Sequence, residues 1–359
     1  MSKTPEKTSG KTPGKTPGKY ATIQDVAARA GVSPSTVSYV LSGKRSISET
    51  TRQKVLQTIE EMNYTASSLG QRMRQGKTHS IGVASPALRA NDWSLPEFFG
   101  SIAGAAGMHD YTAGFFVDRT PQQLVELGKS RFVDGFLLID TTAEDPRVEA
   151  LKAHHIPFVV IGRVRDNTGI TFVDFEFEQV MQAAFRHLSE LGHKKIAYHR
   201  LPDRTSQDIN NGFYIQDSLE QAKKEFNMQV VEQIVPMYRD EAFTATLDVL
   251  DHHPDVTAII AHNHIETLHA LHERHVRVPE EISVVGITTA VAAEGCIPPL
   301  TSVDVPISAM TKLAVDQLIR IIGGEAPLDN VIKPAHLIAR KSTSAPMESK
   351  LVGSVSEHF

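Results

Sequence analysis

The sequence is poor in the residues and patterns that mark several large classes of protein. It has one cysteine, Cys296, in 359 residues, which excludes a disulfide framework and any cysteine-based zinc module. No uncharged apolar stretch reaches the ~18 to 20 residues of a membrane span. The first residues lack the apolar core of a secretory signal, so a cytoplasmic protein is expected. There is no P-loop, G-x-G-x-x-G, H-E-x-x-H or G-x-S-x-G pattern, so neither an enzyme nor a cofactor is expected. Cys296, beside an I-P-P-L segment, reads as a structural thiol rather than a nucleophile. Excess charge is scarce too. The 37 Lys and Arg against 42 Asp and Glu leave a net −5, which at face value speaks against a nucleic-acid partner.

Dividing the chain reverses that inference. Residues 1–78 carry eight Lys and five Arg against four Glu and one Asp, a net +8, and the remainder carries −13. A basic module on an acidic body is the pattern of a chain that meets a polyanion at one end. Five of those lysines lie in residues 1–19, a K-T-P-G-type repeat that cannot bury enough apolar surface to offset its ordering entropy. That segment is expected to be a disordered basic tail.

What is present begins at Thr22. Thr22 and Asp25 have capping-box spacing ahead of a short helix carrying Val26, Ala27 and Ala30 on one face, and Gly31 ends it. Ser33 offers an N-cap oxygen and Pro34 sits at the first helical position. The second helix turns Val37, Val40 and Leu41 inward and Ser35, Thr36, Ser38 and Tyr39 outward. A third, from near Ser48, is expected to bury Val55, Leu56, Ile59 and Met62. Two short helices about an A-G-V-S turn, braced by a third, describe a helix-turn-helix. Hydroxyls and a tyrosine on the outer face can hydrogen-bond base edges and phosphates.

The segment TIQDVAARAGVSPSTVSYVLSGKRSISETTRQKVLQTIEEMNY closely resembles the DNA-binding headpiece of the LacI/GalR family of bacterial transcription regulators. The resemblance continues in family order through HSIGVASP, RFVDGFLLI, IPFVVIGR, LSELGHKKIAY, ISVVGI, IPPLTSV and LIARKST, from about Ala21 to Thr343. It implies a homodimer, a repressor in action, that reads a pseudo-palindromic double-stranded DNA operator under the control of a small-molecule effector, a sugar or related metabolite. Ser33, Pro34, Ser35 and Tyr39 fall where the family reads bases. Thr22, Thr36, Ser38 and Ser42 fall where it contacts phosphates or supports the helix. Residues 67–75 match its minor-groove hinge helix, with Leu69 in the hinge and Met73 at the wedge position, where an apolar side chain unstacks a base step. Ala66 and Gly70 replace the usual Pro and Ala and imply a looser hinge. The expected division is 1–19 tail, 20–66 headpiece, 67–78 hinge and linker, 79–345 core and 346–359 tail. The core's two subdomains are expected to exchange chain near 172–176, 303–305 and 333–336. No leucine heptads in 344–359 suggest a tetramerising segment.

Read from the residues alone, the body is α/β. Short apolar runs at Gly114–Val117, Gly135–Ile139, Phe158–Ile161, Ala258–Ala261 and Ser283–Ile287 predict buried parallel strands. Amphipathic helices such as Gln179–Leu191 and Ser308–Ile322 alternate with them, which predicts a doubly wound sheet in each subdomain with the ligand at the strands' carboxyl ends. By resemblance the effector cleft takes Trp93, Phe98, Asp140, Arg163, Phe172, Ile209, Phe213, Tyr238, His264 and Thr288. Here the chain departs from its family. Ile209 replaces the sugar-binding Arg, Asn263-His264 replaces Asn-Asp, and Thr288-Thr289 replaces a pair of carboxylates.

Those losses leave two readings: an effector unusual for the family, less hydroxylated or anionic and met by His264 and Arg163, or a cleft without a ligand, controlled by a protein partner or by abundance. Seven histidines, His252, His253, His262, His264, His269, His272 and His275, crowd into one segment. His269 and His272 have a spacing that can share a metal, though hydrogen-bonded or solvated histidines are the commoner outcome; no metal site is assigned. Histidines in the cleft would make effector binding pH-sensitive. A solute-binding protein shares the core fold but requires an export signal and no headpiece.

Overall fold

The computed structural model describes residues 21–42, 45–62, 64, 77–86, 95–200, 210–235, 239–325 and 328–347, without the side chains of 42, 210–213, 239 and 240. Two compact units divide between Gly76 and Lys77. Among the described residues the first holds three helices, α1 (Ile23–Ala30), α2 (Pro34–Ser42) and α3 (Glu49–Glu61). Thr22 and Asp25 form a reciprocal capping box at the start of α1, and Gly31 closes the helix at φ 65°, a left-handed backbone that glycine adopts without steric cost. Val26, Ala27, Ala30, Val37 and Val55 make the fully buried centre. Helix α3 departs from expectation: of Val55, Leu56, Ile59 and Met62 only Val55 is buried. Ile59 and Met62 are half-buried against the cluster, Leu56 is half-buried outside it, and Thr58 is buried instead. The Thr58 hydroxyl donates to the Lys54 carbonyl at 2.8 Å, which satisfies it locally and lets it occupy an inward position.

The second unit carries two six-stranded sheets. The first contains β1 (Ser80–Ser85), β2 (Thr112–Val117), β3 (Gly135–Leu138), β4 (Phe158–Ile161), β5 (Phe172–Phe175) and β11 (Val331–Lys333), all parallel, in the order β11-β5-β4-β3-β1-β2. The second contains β6 (Lys195–Arg200), β7 (Gln229–Ile234), β8 (Ala258–Ala261), β9 (Ser283–Thr288), β10 (Thr301–Asp304) and β12 (Leu337–Ile338). Its order is β12-β10-β9-β8-β6-β7, parallel except for β12 against β10. Helices α4 (Leu95–Met108), α5 (Pro121–Lys129) and α6 (Pro146–Ala153) connect strands of the first sheet; α7 (Val180–Glu190) leads into the second. There α8 (Asn210–Phe226), α9 (Arg239–His252), α10 (His264–Glu273) and α11 (Ala290–Glu294) connect the strands. The chain then returns to the first lobe with α12 (Ile307–Ile322), which packs on α4 and on β3, β4 and β5.

This is the doubly wound α/β architecture that the alternation of apolar runs predicts, with one correction. The run Gly114–Val117 reads as a buried strand, yet β2 is a sheet edge and Phe115 is 39% exposed. Apolar runs do not distinguish a central strand from an edge strand that a neighbouring aromatic covers; here Phe99 lies 4.2 Å from the Phe115 ring. Gly135 shows why the V-D-G segment needs its glycine: a Cβ there would sit 2.8 Å from the Pro157 carbonyl oxygen, a backbone atom that cannot swing away.

In each sheet the strand order switches direction beside its first strand, at β1 between β2 and β3 and at β6 between β7 and β8. Connections leave to opposite faces at such a point and open a crevice at the carboxyl ends of the strands. In the first sheet that edge is held by Arg147, whose guanidinium is buried against the Asp145 carboxylate at 2.6 Å. The same guanidinium donates to the carbonyls of Ala84 and Ile139 at 3.0 Å each and Asp140 at 3.3 Å. Removing one member of a buried pair strands the other's charge. Arg147→Met should therefore destabilise the core by about 3 to 5 kcal/mol in urea denaturation. Arg147→Lys should restore little of it, because an ammonium cannot span three carbonyls and a carboxylate with a planar fork.

Candidate functional site

The first unit presents its polar residues on α2. Ser33 caps the helix: its Oγ accepts from the Thr36 backbone N–H at 3.2 Å and shares a 2.9 Å hydrogen bond with the Thr36 hydroxyl. The Thr22 hydroxyl is likewise engaged, donating to Asp25 at 2.7 Å. These residues build the turn, and the exposed groups beside them are Pro34, Ser35 and Tyr39; Thr36 and Ser38 are half-buried. Arg45, which sequence reasoning passed over, lies with its guanidinium 5.7 Å from the Tyr39 ring centroid. Its signal was the G-K-R run just after α2. Together they offer a hydroxyl, Ser35, near the positive N-terminal end of α2, an aromatic ring with a phenol, Tyr39, a turn further along, and a cation, Arg45, just past the helix's C-terminus. The Ser42 side chain, Leu69 and Met73 lie outside the described residues.

The second unit gathers a different chemistry at the carboxyl ends of its strands. Asp140 follows β3 with a left-handed φ of 50° and accepts from the Ser85 hydroxyl at 3.1 Å. Arg163 follows β4. It pairs with Asp174 on β5, holds Glu178 through two hydrogen bonds of 2.9 and 3.0 Å, and lies 4.2 Å from the Tyr214 ring on α8. Burial pushes the Asp174 carboxyl up despite Arg163. Burial also works against ionisation of Glu178, but hydrogen bonds and charge from Arg163 outweigh it and hold that carboxyl low.

At the β6/β8 edge the structure assembles three histidines, of which sequence reasoning selected only His264 for the cleft. His199, at the end of β6, shares a 3.2 Å hydrogen bond through Nδ1 with Thr267 on α10, and its buried Nε2 has no partner among the described residues. His262 Nε2 is 3.2 Å from the Tyr198 hydroxyl, and His264 Nδ1 is 3.2 Å from the His262 carbonyl oxygen. Burial lowers all three to a pKa of about 4, helped at His199 by His262 and at His262 by His264. Thr288, at the end of β9, is fully buried, and its hydroxyl has no partner among the described residues.

Other expected cleft residues fall elsewhere. Phe172 is a core residue, 6% exposed among Phe158, Val160 and Ile170 at the amino end of β5, away from the strand ends that form the crevice. An aromatic at a strand start reads the same in sequence as one at a strand end. Phe98 is half-buried on α4 against the main core cluster. The Phe213 side chain, Trp93, Ile209 and Tyr238 lie outside the described residues. Among the described residues no group of three or more His, Cys, Asp or Glu is placed to hold a metal, and His269 sits against Glu273 at 3.5 Å and the Phe243 ring. No helix among the described residues is long and apolar enough to cross a membrane.

A capped helix-turn-helix joined to a two-lobed α/β core defines a ligand-regulated DNA-binding protein. Comparison with known proteins is specific. Residues 22–67 match the model of bacterial regulatory proteins of the LacI family, and residues 185–343 match a periplasmic binding protein-like domain. The HTH-type transcriptional regulator MalR of Streptomyces coelicolor is 31% identical over 91% of this chain and 98% of its own. CelR of Thermobifida fusca is 29% identical over 89% and 98%. Among solved structures, the Lac repressor bound to ONPG in the repressed state matches with a TM-score of 0.73 at 25% identity, covering 90% of this chain and all of that one. A CelR–cellobiose complex matches with a TM-score of 0.63, also at 25% identity, over 90% and 99%. The chain belongs to the LacI family and is a DNA-binding transcriptional regulator.

The buried histidines carry a pH consequence. Their folded pKa of about 4 lies below the ordinary value of 6.5, so the unfolded chain takes up protons first as pH falls. Stability is therefore retained above pH 6.5 and lost progressively toward pH 4, by about 3 kcal/mol for one such histidine. Urea midpoints measured from pH 7.5 to 4.5 should fall steeply, and His199→Gln should flatten the profile. An identical slope in the variant would refute this source of acid sensitivity.

Proposed function

We propose that this regulator acts as a homodimeric repressor in the cytoplasm, reading an inverted-repeat operator through α2 and releasing or tightening it when a small molecule enters the core crevice. The observation that carries the reading is the exposed set Ser35, Tyr39 and Arg45 on and just past a capped recognition helix. In this reading Ser35 and Tyr39 meet base edges and Arg45 meets a phosphate. A dimer follows from the need to read two half-sites with one helix per chain.

The effector is an uncharged, hydroxylated molecule. The arginines at the carboxyl ends of β4 and β6 already face carboxylates: Arg163 faces Asp174 and Glu178, and Arg200 lies 3.5 Å from Glu232. The three histidines are neutral at physiological pH. An anionic ligand would have to break an ion pair or protonate a buried imidazole, and both are costly. A neutral ligand needs only hydrogen-bonding atoms, and buried imidazole and hydroxyl groups supply them. The relative solved with cellobiose is consistent with this class.

Two measurements test these statements. The full-length chain, offered a randomised duplex library, should enrich an inverted repeat. Ser35→Ala or Tyr39→Ala should each cost about 1 to 3 kcal/mol of discrimination at defined positions. Arg45→Ala should weaken all duplexes alike and reduce the salt slope by about one. No enrichment from the library would overturn the reading. For the effector, calorimetry against matched neutral sugars and their phosphate esters should give heat only with neutral members; binding confined to the esters would exclude an uncharged ligand.

A further inference from the structure

The LacI-type reading leaves open how the core takes hold of the chain that comes from the DNA-binding unit. The core begins at Lys77, and the next two residues converge on one carboxylate. The Thr78 backbone N–H lies 2.7 and 3.0 Å from the two Asp134 oxygens, the Thr78 hydroxyl donates at 2.9 Å, and the His79 N–H donates at 2.8 Å. Tyr111 is buried nearby, and burial, with the charge of the same carboxylate, raises its pKa to about 12. His79 takes a left-handed φ of 54°, and its ring lies 4.9 Å from the Tyr111 ring. The Asp134 N–H donates to the Ser80 carbonyl at 2.7 Å. Fifty-five or more residues separate Asp134 from the Thr78 and His79 groups it binds, so this is a tertiary fastening, not a local turn.

Asp134 also stands at one end of a continuous strut. It immediately precedes β3, which pairs with β1 from Ile81–Gly135 to Ala84–Leu138. At the opposite end the same two strands are joined by the Ser85–Asp140 hydrogen bond and by Arg147 binding the carbonyls of Ala84 and Ile139. Strand β1, six residues long, spans about 20 Å at ~3.3 Å per residue. It runs from the crevice edge to the point where the chain enters the core, and it is tied at both ends.

We propose that Asp134 is the positioning residue that sets the path of the chain between the core and the DNA-binding unit, so that displacement of the crevice end of β1 and β3 reaches the operator-reading helices. The proposal rests on the family reading above and adds to it the residue and the strands that carry the coupling. Without the carboxylate, two backbone N–H groups and a hydroxyl lose their acceptor, and residues 77–79 come away from the core. Were the segment before Lys77 to act only as a flexible tether, adding three residues to 12 would reduce effective concentration only about 1.4-fold. A larger loss of affinity therefore requires that the fastening sets direction, not merely length.

The test uses the full-length chain and the duplex it enriches from the randomised library. Trypsin cleaves after Lys77, at the peptide whose N–H Asp134 holds, so cleavage there reports release. For Asp134→Asn we expect cleavage at Lys77 to accelerate about tenfold, affinity for the duplex to fall about tenfold, and the thermal midpoint of the core to shift by only a few degrees. Thr78→Val, which removes one hydrogen bond and keeps the shape, should give smaller changes of the same sign and guards against a misfolded first variant. Faster cleavage with affinity within 1.5-fold of the unaltered chain would overturn the proposal, since the anchor would then only shorten a tether. Unchanged cleavage in both variants would overturn it at the level of the fastening itself. If the unaltered chain enriches no duplex, the family reading fails and this inference falls with it, whereas failure of the inference alone leaves enrichment intact.

Discussion

Parallel strands deliver all their last carbonyl oxygens to one edge, and that edge must be satisfied before it can bind anything. In the first lobe the buried Arg147 guanidinium does this, with Asp145 as counter-charge and three carbonyl oxygens as acceptors. The rest of the lobe depends on it. With the ends of β1 and β3 held, Asp140 can keep its left-handed backbone and face the Ser85 hydroxyl, and the crevice keeps a defined rim. The second lobe has no such buried arginine bridging strand-end carbonyls among the described residues. Beside the Arg200–Glu232 pair, His199, His262 and Tyr198 line its strand ends with neutral donors and acceptors, groups that lose less on dehydration than ions do.

Much of this was legible in the sequence, and the reasons are local. The caps of α1 and α2 are set by Thr22, Asp25, Gly31 and Ser33, residues whose side chains or backbones act within three or four positions, so their pattern is read directly. Apolar runs revealed the strands, because strands covered on both faces cannot alternate. What was not legible depends on contacts between distant segments. Phe172 looks like any cleft aromatic until the register of β4 and β5 puts it at the amino end of its strand. Arg163 looks like a free cation for an anionic ligand until the fold brings Glu178 and Asp174 to it. His199 gave no signal at all, since a single histidine at a strand end means little until β8 places His262 beside it. Asp134 was visible only as part of a V-D-G motif, and its partners Thr78 and His79 lie more than fifty residues away.

The split of charge follows from the same separation of tasks. A headpiece with five fully buried apolar residues has little stability to spare, and a net +8 on the segment that contains it adds self-repulsion that phosphates relieve on contact. The −13 of the remainder does not cancel that attraction, because exposed charges more than about 8 Å apart are largely screened at physiological salt. It acts instead against unspecific adhesion of the core to DNA. A whole-chain charge of −5 is thus the sum of two local fields, each matched to its own partner. Where one segment must hold a polyanion and another must keep off it, net charge describes neither.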